Sequence, residues 1–233
     1  LAALAADIFP RGVLNVITGD GPSAGAMLVR HPGVDMVSLT GDSATGKAVA
    51  RAAADSLKRV HLELGGKAPA VILDDADPAQ VAAALREGSF WNAGQDCSAA
   101  ARVLVSARGY DRVLDELVPA VESLRVGDPS DRTTEMGPLA YAAHRDRVLG
   151  FLDRARADGG TFLTGGGAAP AAGSGGFFVA PTVIADVAQH SEIVQREVFG
   201  PVVTVQRVED DEAAFALAND VSYGLGASVF TRD

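Results

Sequence analysis

Short apolar runs alternate with amphipathic, helix-like patterns in the first part of the chain. Apolar runs bounded by turn-forming residues predict strands, and apolar positions recurring every three or four residues predict helices. Strands are predicted at residues 13–17, 34–39, 59–64 and 69–73; helices are predicted at the start (Leu1, Leu4 and Ile8) and at 23–30, 43–56 and 79–90. This alternation is typical of a mainly parallel sheet covered by helices, so the predicted fold class is α/β.

The alternation returns after residue 100 and predicts a second α/β unit. Its predicted strands are residues 102–106, 161–163, 177–183, 202–208 and 227–230, and its predicted helices are 110–124, 144–158 and 211–219. The glycine-rich segment 159–176 surrounds one strand and leads into another. Because a phosphate loop must instead precede a helix, we predict a flexible surface connection there.

Composition narrows the functional classes. The chain has 233 residues, 48% of them apolar, which is enough for a sizeable core in one or two domains. A net charge of −10 without a basic cluster argues against nucleic acid or an anionic membrane as a partner. The four histidines lack metal-ligand spacing, so no metal site is predicted. A single cysteine excludes an internal disulfide and favours a cytoplasmic location.

That cysteine, Cys97, follows a turn of small and polar residues, FWNAGQD, at positions 90–96. A lone thiol in such a setting is a candidate nucleophile, since the thiolate is the reactive form. The alternative is a cysteine that acts only as a small buried hydrophobe.

Glu63 ends an apolar strand and is followed closely by Gly65 and Gly66. A carboxylate at the end of a buried strand is partly desolvated, which raises its pKa and suits it to accept a proton. The two glycines are predicted to let the backbone and the carboxylate move together. The alternative is a solvated carboxylate without a catalytic role.

Residues 40–46 follow a predicted strand and open a predicted helix. Unpaired N–H groups at a helix start favour an anion such as a pyrophosphate. The alternative is an ordinary capped loop between strand and helix.

Taken together, these segments resemble the aldehyde dehydrogenase superfamily. Its Glu-Leu-Gly-Gly-Lys motif stands at 63–67 and its Phe-x-Asn-x-Gly-Gln-x-Cys motif at 90–97, while 39–46 resembles its phosphate-side loop and 197–202 its nicotinamide-side segment. The four motifs occur in the family's order. The resemblance covers essentially the whole chain. Residues 136–139 and 144–148 look most like the members that oxidise aminobutyraldehyde or betaine aldehyde.

The resemblance implies a domain organisation and a cofactor. Residues 1–66 would be the C-terminal part of a Rossmann-like NAD(P)-binding domain, and residues 67–233 a catalytic domain that lacks its C-terminal end. The chain would be an internal fragment of a homodimeric or homotetrameric parent. The implied cofactor is NAD or NADP, with NAD favoured, and the implied cofactor-binding residues are Gly21, Pro22, Thr40, Gly41, Asp42, Ser43, Leu64, Gly65, Glu197 and Phe199.

Asp42 departs from the family pattern, which commonly has Ser after Thr-Gly. If it pointed inward, its charge would repel a pyrophosphate by about 3 kcal/mol at ~5 Å before screening. Asp is also a favoured N-cap, so its carboxylate can instead turn toward the helix N–H groups, with Ser43 supplying the hydroxyl.

The mechanism implied by the resemblance gives Cys97 and Glu63 their roles. The Cys97 thiolate adds to an aldehyde, hydride transfer leaves a thioester, and Glu63 activates the water that hydrolyses it to a carboxylate. The Cys97 N–H would stabilise the alkoxide, whereas Asn92 matches a structural residue of the motif. The second alkoxide donor of the family lies outside the matched segments, so the chain by itself is predicted to be inactive.

Trp91 and Asp96 are the candidate substrate residues, because an indole face and an anion together attract an ammonium group. The alternative places Trp91 in the core and turns Asp96 toward its own loop. Two other functional classes stay open at this point: a noncatalytic protein that keeps the fold, and a hydrolase that pairs Cys97 with a histidine.

Overall fold

The computed structural model describes residues 2–169 and 175–233. Leu1, at the predicted first helix, and residues 170–174, in the glycine-rich segment, lie outside the described residues. The chain divides into two units, Leu1–Leu64 and Gly65–Asp233. The division falls two residues before the domain boundary that the resemblance implies.

The first unit is built around two parallel strands. Its elements are α1 (Ala2–Ala6), a π-helical turn (Gly21–Gly25) that continues into α2 (Ala26–Arg30), β1 (Met36–Gly41), α3 (Ser43–Ala54) and β2 (Arg59–Leu64). The register pairs Thr40 with Glu63 and Gly41 with Leu64. The predicted phosphate-side loop and the predicted base therefore end neighbouring strands at the same edge.

The prediction of a strand at residues 13–17 is wrong. These residues have no regular structure, and Val13, Leu14, Val16 and Ile17 are exposed. A short apolar run becomes a strand only when a neighbouring strand pairs with it, and the described part of the chain offers this run no such partner.

The described residues of the second unit form a six-stranded sheet in the order β5-β6-β7-β4-β3-β8, in which only the β5–β6 pair is antiparallel. The strands are β3 (Ala68–Ile72), β4 (Ala100–Ser106), β5 (Thr161–Thr164), β6 (Thr182–Ala185), β7 (Val202–Val208) and β8 (Ser228–Phe230). The helices are α4 (Pro78–Phe90), α5 (Tyr110–Glu122), α6 (Ala142–Ala157), α7 (Glu192–Gln195) and α8 (Asp211–Asn219).

Helices cover both faces of this sheet. Alternate residues of the interior strand β3 face two separate apolar clusters: Ala70 and Ile72 join the large cluster, whereas Val71 joins the cluster of Leu104 and Val208. All of β3 is buried, as is typical of parallel strands with helices on either side. The predicted α/β class is therefore confirmed.

The predicted strand at 177–183 is shorter in the structure. β6 begins at Thr182, and Val179 makes only an isolated bridge with Ala168. The apolar residues before Pro181 are buried in a loop instead, where hydrophobicity alone does not distinguish them from a strand.

Among the described helices, none is long and apolar enough to cross a membrane.

Candidate functional site

A left-handed turn presents Cys97 at the end of α4. Asn92, Ala93 and Gly94 have φ values of 51°, 55° and 67°, which non-glycine residues rarely adopt. Reciprocal hydrogen bonds hold the turn: Asn92 Nδ2 donates to Gln95 O and Gln95 Nε2 donates to Asn92 O, each at 2.9 Å. The backbone N–H of Ala140 also donates to Gln95 Oε1 at 3.0 Å. Asn92 and Gln95 therefore shape the loop.

The residues next to Cys97 are arranged around its backbone. Asp96 Oδ1 accepts hydrogen bonds from Ser98 N at 2.8 Å and Ser98 Oγ at 2.7 Å. Within the described residues, the Cys97 N–H donates to no protein acceptor, so it is available to an oxyanion. Trp91 is 64% exposed, so the alternative that placed it in the core is wrong. The kink after α4 turns its indole outward, while Phe90 and Ala93 take the buried positions.

Gly65 and Gly66 lie so close to two functional residues that no side chain fits. A Cβ on Gly65 would lie 2.3 Å from Glu197 Oε2, and one on Gly66 would lie 2.1 Å from the Cys97 carbonyl oxygen. The Gly66 N–H donates to Glu197 Oε1 at 2.8 Å. The structure thus gives these glycines a steric role, because they let the Glu197 carboxylate and the Cys97 backbone approach the same segment.

Helix α6 holds the backbone of the Glu197–Val198–Phe199 segment. Arg147 donates to Val198 O at 2.6 Å and to Glu197 O at 2.8 Å, and Nε2 of His144 contacts Phe199 O at 2.7 Å. Burial lowers the pKa of His144, so its neutral form donates this bond. Phe199 has φ 57°, a conformation that persists when surrounding contacts enforce it. The residues at 144–148 therefore support the backbone of segment 197–199.

Arg102 is a buried residue that sequence reasoning missed. Its guanidinium donates to Lys67 O at 3.0 Å, Leu217 O at 2.8 Å and Ala218 O at 2.7 Å. It thereby ties the residue before β3 to the C-terminal end of α8. Burial lowers its pKa to about 10. The available signal was a charged residue inside the apolar run of β4, since a fully buried arginine must find partners.

Glu63, in the first unit, differs from its prediction. Its side chain is 49% exposed, so the expected desolvation of the carboxylate is wrong. The reason is that β2 belongs to a two-stranded sheet whose residues are exposed or half-buried. Nε2 of His61 lies 3.4 Å from Glu63 Oε1, which makes an ion pair when the histidine is protonated.

Asp42 caps helix α3. Its Oδ1 accepts from Ala44 N at 2.8 Å and Thr45 N at 3.0 Å, and its Oδ2 accepts from Thr45 Oγ1 at 2.7 Å. The hydrogen bonds from Thr45 are the main reason that the pKa of Asp42 lies below its usual range. The carboxylate therefore turns toward the helix N–H groups, the second of the two orientations considered from sequence.

The candidate residues fall into two sets. Gly21, Pro22, Thr40, Gly41, Asp42, Ser43, Glu63 and Leu64 lie in the first unit, and Gly65, Trp91, Asp96, Cys97, Glu197 and Phe199 lie in the second. Leu64 packs on Gly46, where a Cβ would come within 2.5 Å of its side chain. Gly21 and Pro22 sit in an exposed turn that Asp20 caps. Within the described ranges, no cluster of three or more metal ligands is present.

Comparison with known proteins gives consistent matches along the chain. The family model for the aldehyde dehydrogenase family matches residues 1–233. Betaine aldehyde dehydrogenase of Sinorhizobium fredii is 43% identical over 96% of this chain and 46% of its own length. Peroxisomal aminoaldehyde dehydrogenase 2 of Pisum sativum is 42% identical over 96% and 44%. The chain thus spans just under half the length of these relatives.

A solved structure agrees with these relatives. The NAD+ complex of an aldehyde dehydrogenase from Bacillus cereus superposes with a TM-score of 0.93 at 41% identity, over 97% of this chain and 45% of that one. The fold and the sequence therefore lead to the same assignment, which confirms the resemblance carried by the four motifs. The chain belongs to the aldehyde dehydrogenase family.

Proposed function

We propose that the protein oxidises an aldehyde to a carboxylate with NAD, through a thioester on Cys97. One observation carries the proposal: the Gly65–Gly66 segment holds the Glu197 carboxylate on its N–H and lies against the Cys97 backbone. A nucleophile and a carboxylate for the nicotinamide ribose then share one rigid support. Such preorganisation is what a two-substrate reaction requires.

The residues at the nicotinamide end fit this cofactor. The absence of a side chain at Gly65 leaves room only for the Glu197 carboxylate, whose oxygens accept hydrogen bonds as ribose hydroxyls require. NAD, when bound, supplies the hydride acceptor. We propose NAD rather than NADP because the solved relative carries NAD+. At the phosphate side, Asp42 already uses two helix N–H groups, which leaves Ser43 as the next donor.

The chain's own residues account for the proton and bond changes. The Cys97 thiolate bonds to the aldehyde carbon, and its N–H stabilises the resulting alkoxide. After the hydride has left, the carbonyl reforms as a thioester. Glu63 then takes a proton from water, the hydroxide adds to the thioester, and the carbon–sulfur bond breaks to release the thiolate and a carboxylic acid. The acid loses its proton to solvent to give the carboxylate, and Glu63 returns its own proton to solvent. A half-exposed Glu63 is accessible to this water.

We propose a cationic aldehyde as the substrate. The relatives named as betaine and aminoaldehyde dehydrogenases support this class. The exposed indole of Trp91, on the same loop as Cys97, is of the right chemistry for an ammonium group. Asp96 lies on this loop too; its Oδ1 accepts from Ser98, so Oδ2 is the oxygen that we propose for the ammonium. The oligomeric parent, the cytoplasmic location and the inactivity of residues 1–233 alone stay predictions.

The test measures NADH formation by the full-length protein with betaine aldehyde, an aminoaldehyde and an uncharged aldehyde of similar size. We expect NAD to be reduced with all three aldehydes, and we expect the highest kcat/KM for the two cationic aldehydes. Cys97→Ala should abolish it, whereas Glu63→Gln should keep a burst of NADH and then turn over slowly, since only thioester hydrolysis is impaired.

Two results would contradict the proposal. Nucleotide binding without Cys97-dependent reduction would favour the noncatalytic alternative. Cys97-dependent ester hydrolysis, without nucleotide-dependent oxidation of the aldehydes, would favour the hydrolase alternative.

A further inference from the structure

Lys67 is a buried cation to which the reaction described above assigns no task. It directly precedes β3 and is only 2% exposed. Its backbone carbonyl accepts the hydrogen bond from Arg102, which holds the residue in place. A lysine that is almost fully buried needs a compensating anion, because the desolvation of an unpaired charge is costly.

The charges around Lys67 single out one such anion. Burial and then the positive charge of Arg102, on β4, lower the pKa of Lys67 to about 7, and the Glu197 carboxylate opposes that shift. Asp96 also lines this cavity, but the carboxylate whose charge opposes the lowering of the Lys67 pKa is that of Glu197. Glu197 is therefore the carboxylate that stabilises the charged form of Lys67.

A small cavity with a mixed polar and apolar lining joins these groups. It has a volume of about 20 Å³, room for about one water molecule, and its lining includes Lys67, Ser89, Gly94, Asp96 and Glu197. Ser89 is 2% exposed, and its Oγ has no hydrogen-bond partner among the described residues. The cavity thus lies between the loop before Cys97 and the Glu197 segment, and both Lys67 and Glu197 line it.

We propose that Lys67 is a positioning residue for Glu197, whose carboxylate it attracts from across their shared cavity and helps to hold on the Gly66 N–H for the nicotinamide ribose. Two groups then orient this carboxylate: a backbone N–H at 2.8 Å and a buried ammonium. The inference rests on the proposed function, since it concerns how Glu197 meets NAD. The electrostatic pairing itself is a property of the protein without nucleotide.

The first experiment therefore uses no nucleotide. Free energies of unfolding in urea are compared for the wild type, Lys67→Met, Glu197→Gln and the double variant. Lys67→Met removes the ammonium from beside the half-buried Glu197 carboxylate, and Glu197→Gln removes the carboxylate from beside the buried ammonium, whereas the double variant removes both charges. We expect the double variant's folding equilibrium constant to exceed the additive expectation by about tenfold or more. Additive effects would overturn the proposal.

The second experiment measures the Kd for NAD of the full-length protein by calorimetry between about pH 6 and 8. Lys67 loses its charge as the pH rises through about 7, so the wild-type Kd should rise with pH. Lys67→Arg keeps its charge throughout and should give a flat profile. This variant also keeps the test informative if Lys67→Met does not fold. The same profile in both proteins would overturn the proposal.

Ser89→Ala is the matched control, because it alters the same cavity without changing a charge. Its Kd for NAD should stay within about twofold of the wild type, since no charge pair is broken. If Ser89→Ala and Lys67→Met weakened NAD binding equally, packing of the cavity rather than the ammonium would support Glu197. If the wild type bound no NAD while the unfolding cycle showed coupling, the proposed function would fail and the pairing would stand.

Discussion

The capping carboxylates of the first unit accept hydrogen bonds from residues near them in sequence, whereas the Glu197 segment of the second unit is held by residues far from it in sequence. Asp42 bonds to Thr45, three residues away, and Asp20 bonds to Ser23 in the same way. In the second unit, Gly66 and Glu197 are 131 residues apart in sequence. Local contacts form as soon as a helix begins, but distant ones depend on the whole unit being folded.

Burial differs in the same direction. The residues of β1 and β2 are exposed or half-buried, whereas β3 is buried throughout and β7 nearly so. A contact formed at an exposed position competes with water and contributes little, while the loss of one in a buried unit leaves unpaired groups. Substitutions in the second unit are therefore expected to lower the free energy of unfolding more than substitutions in the first unit.

Gly66→Ala should have the largest effect. The new Cβ would lie 2.1 Å from the Cys97 carbonyl oxygen, so the Cys97 loop or the Gly65–Gly66 segment must move. We expect a loss of about 3 kcal/mol in the free energy of unfolding, together with slower alkylation of the Cys97 thiol. Gly88→Ala is the control: a Cβ there meets nothing within 4 Å, and the residue is helical. Gly88→Ala should leave the free energy of unfolding unchanged or raise it. Equal losses of stability in the two variants would show that the close contact at Gly66 is not the cause.

Arg147→Met should have the next largest effect, since it leaves the carbonyls of Glu197 and Val198 without their donor. We expect about 2 kcal/mol of destabilisation and a raised Kd for NAD. Arg154→Met is a close control on the same helix, because both guanidinium groups lie 4.9 Å from the Phe151 ring.

The two arginines differ in their partners. Arg154 pairs with a part-exposed Glu192, so its loss should cost about 0.5 kcal/mol or less. If urea unfolding gave the same loss for both variants, the hydrogen bonds to the Glu197 segment would contribute nothing beyond the stacking on Phe151.

Asp42→Ala should have the smallest effect, because it removes only a local cap at an exposed helix start. We expect a loss of about 1 kcal/mol, and close to none for Asp42→Ser, since serine caps as well. Thermal or urea unfolding checks both. Asp42→Ser should also bind NAD more tightly, because it removes an anion from the phosphate side. Unchanged NAD affinity would show that this carboxylate is screened from the pyrophosphate.

Much of the fold could be predicted from periodicity and capping. The bounds of β2, β7 and α8 match the predictions residue for residue, because each apolar pattern is bounded by turn or cap residues. The run at 13–17 failed, since an apolar run does not reveal whether a partner strand exists. The exposure of Glu63 and Trp91 could not be predicted either, because burial depends on what the rest of the chain covers.

The sequence by itself determined the α/β class, the family, and Cys97 and Glu63 as candidates, because motif order and local periodicity are properties of the chain. Only the tertiary structure decided that Gly66 joins Cys97 to Glu197, that α6 holds the Glu197 segment, and that the buried Lys67 lines the same cavity as the half-buried Glu197. These contacts join residues far apart in sequence. They form only when the sheet brings their elements together, which no local pattern records.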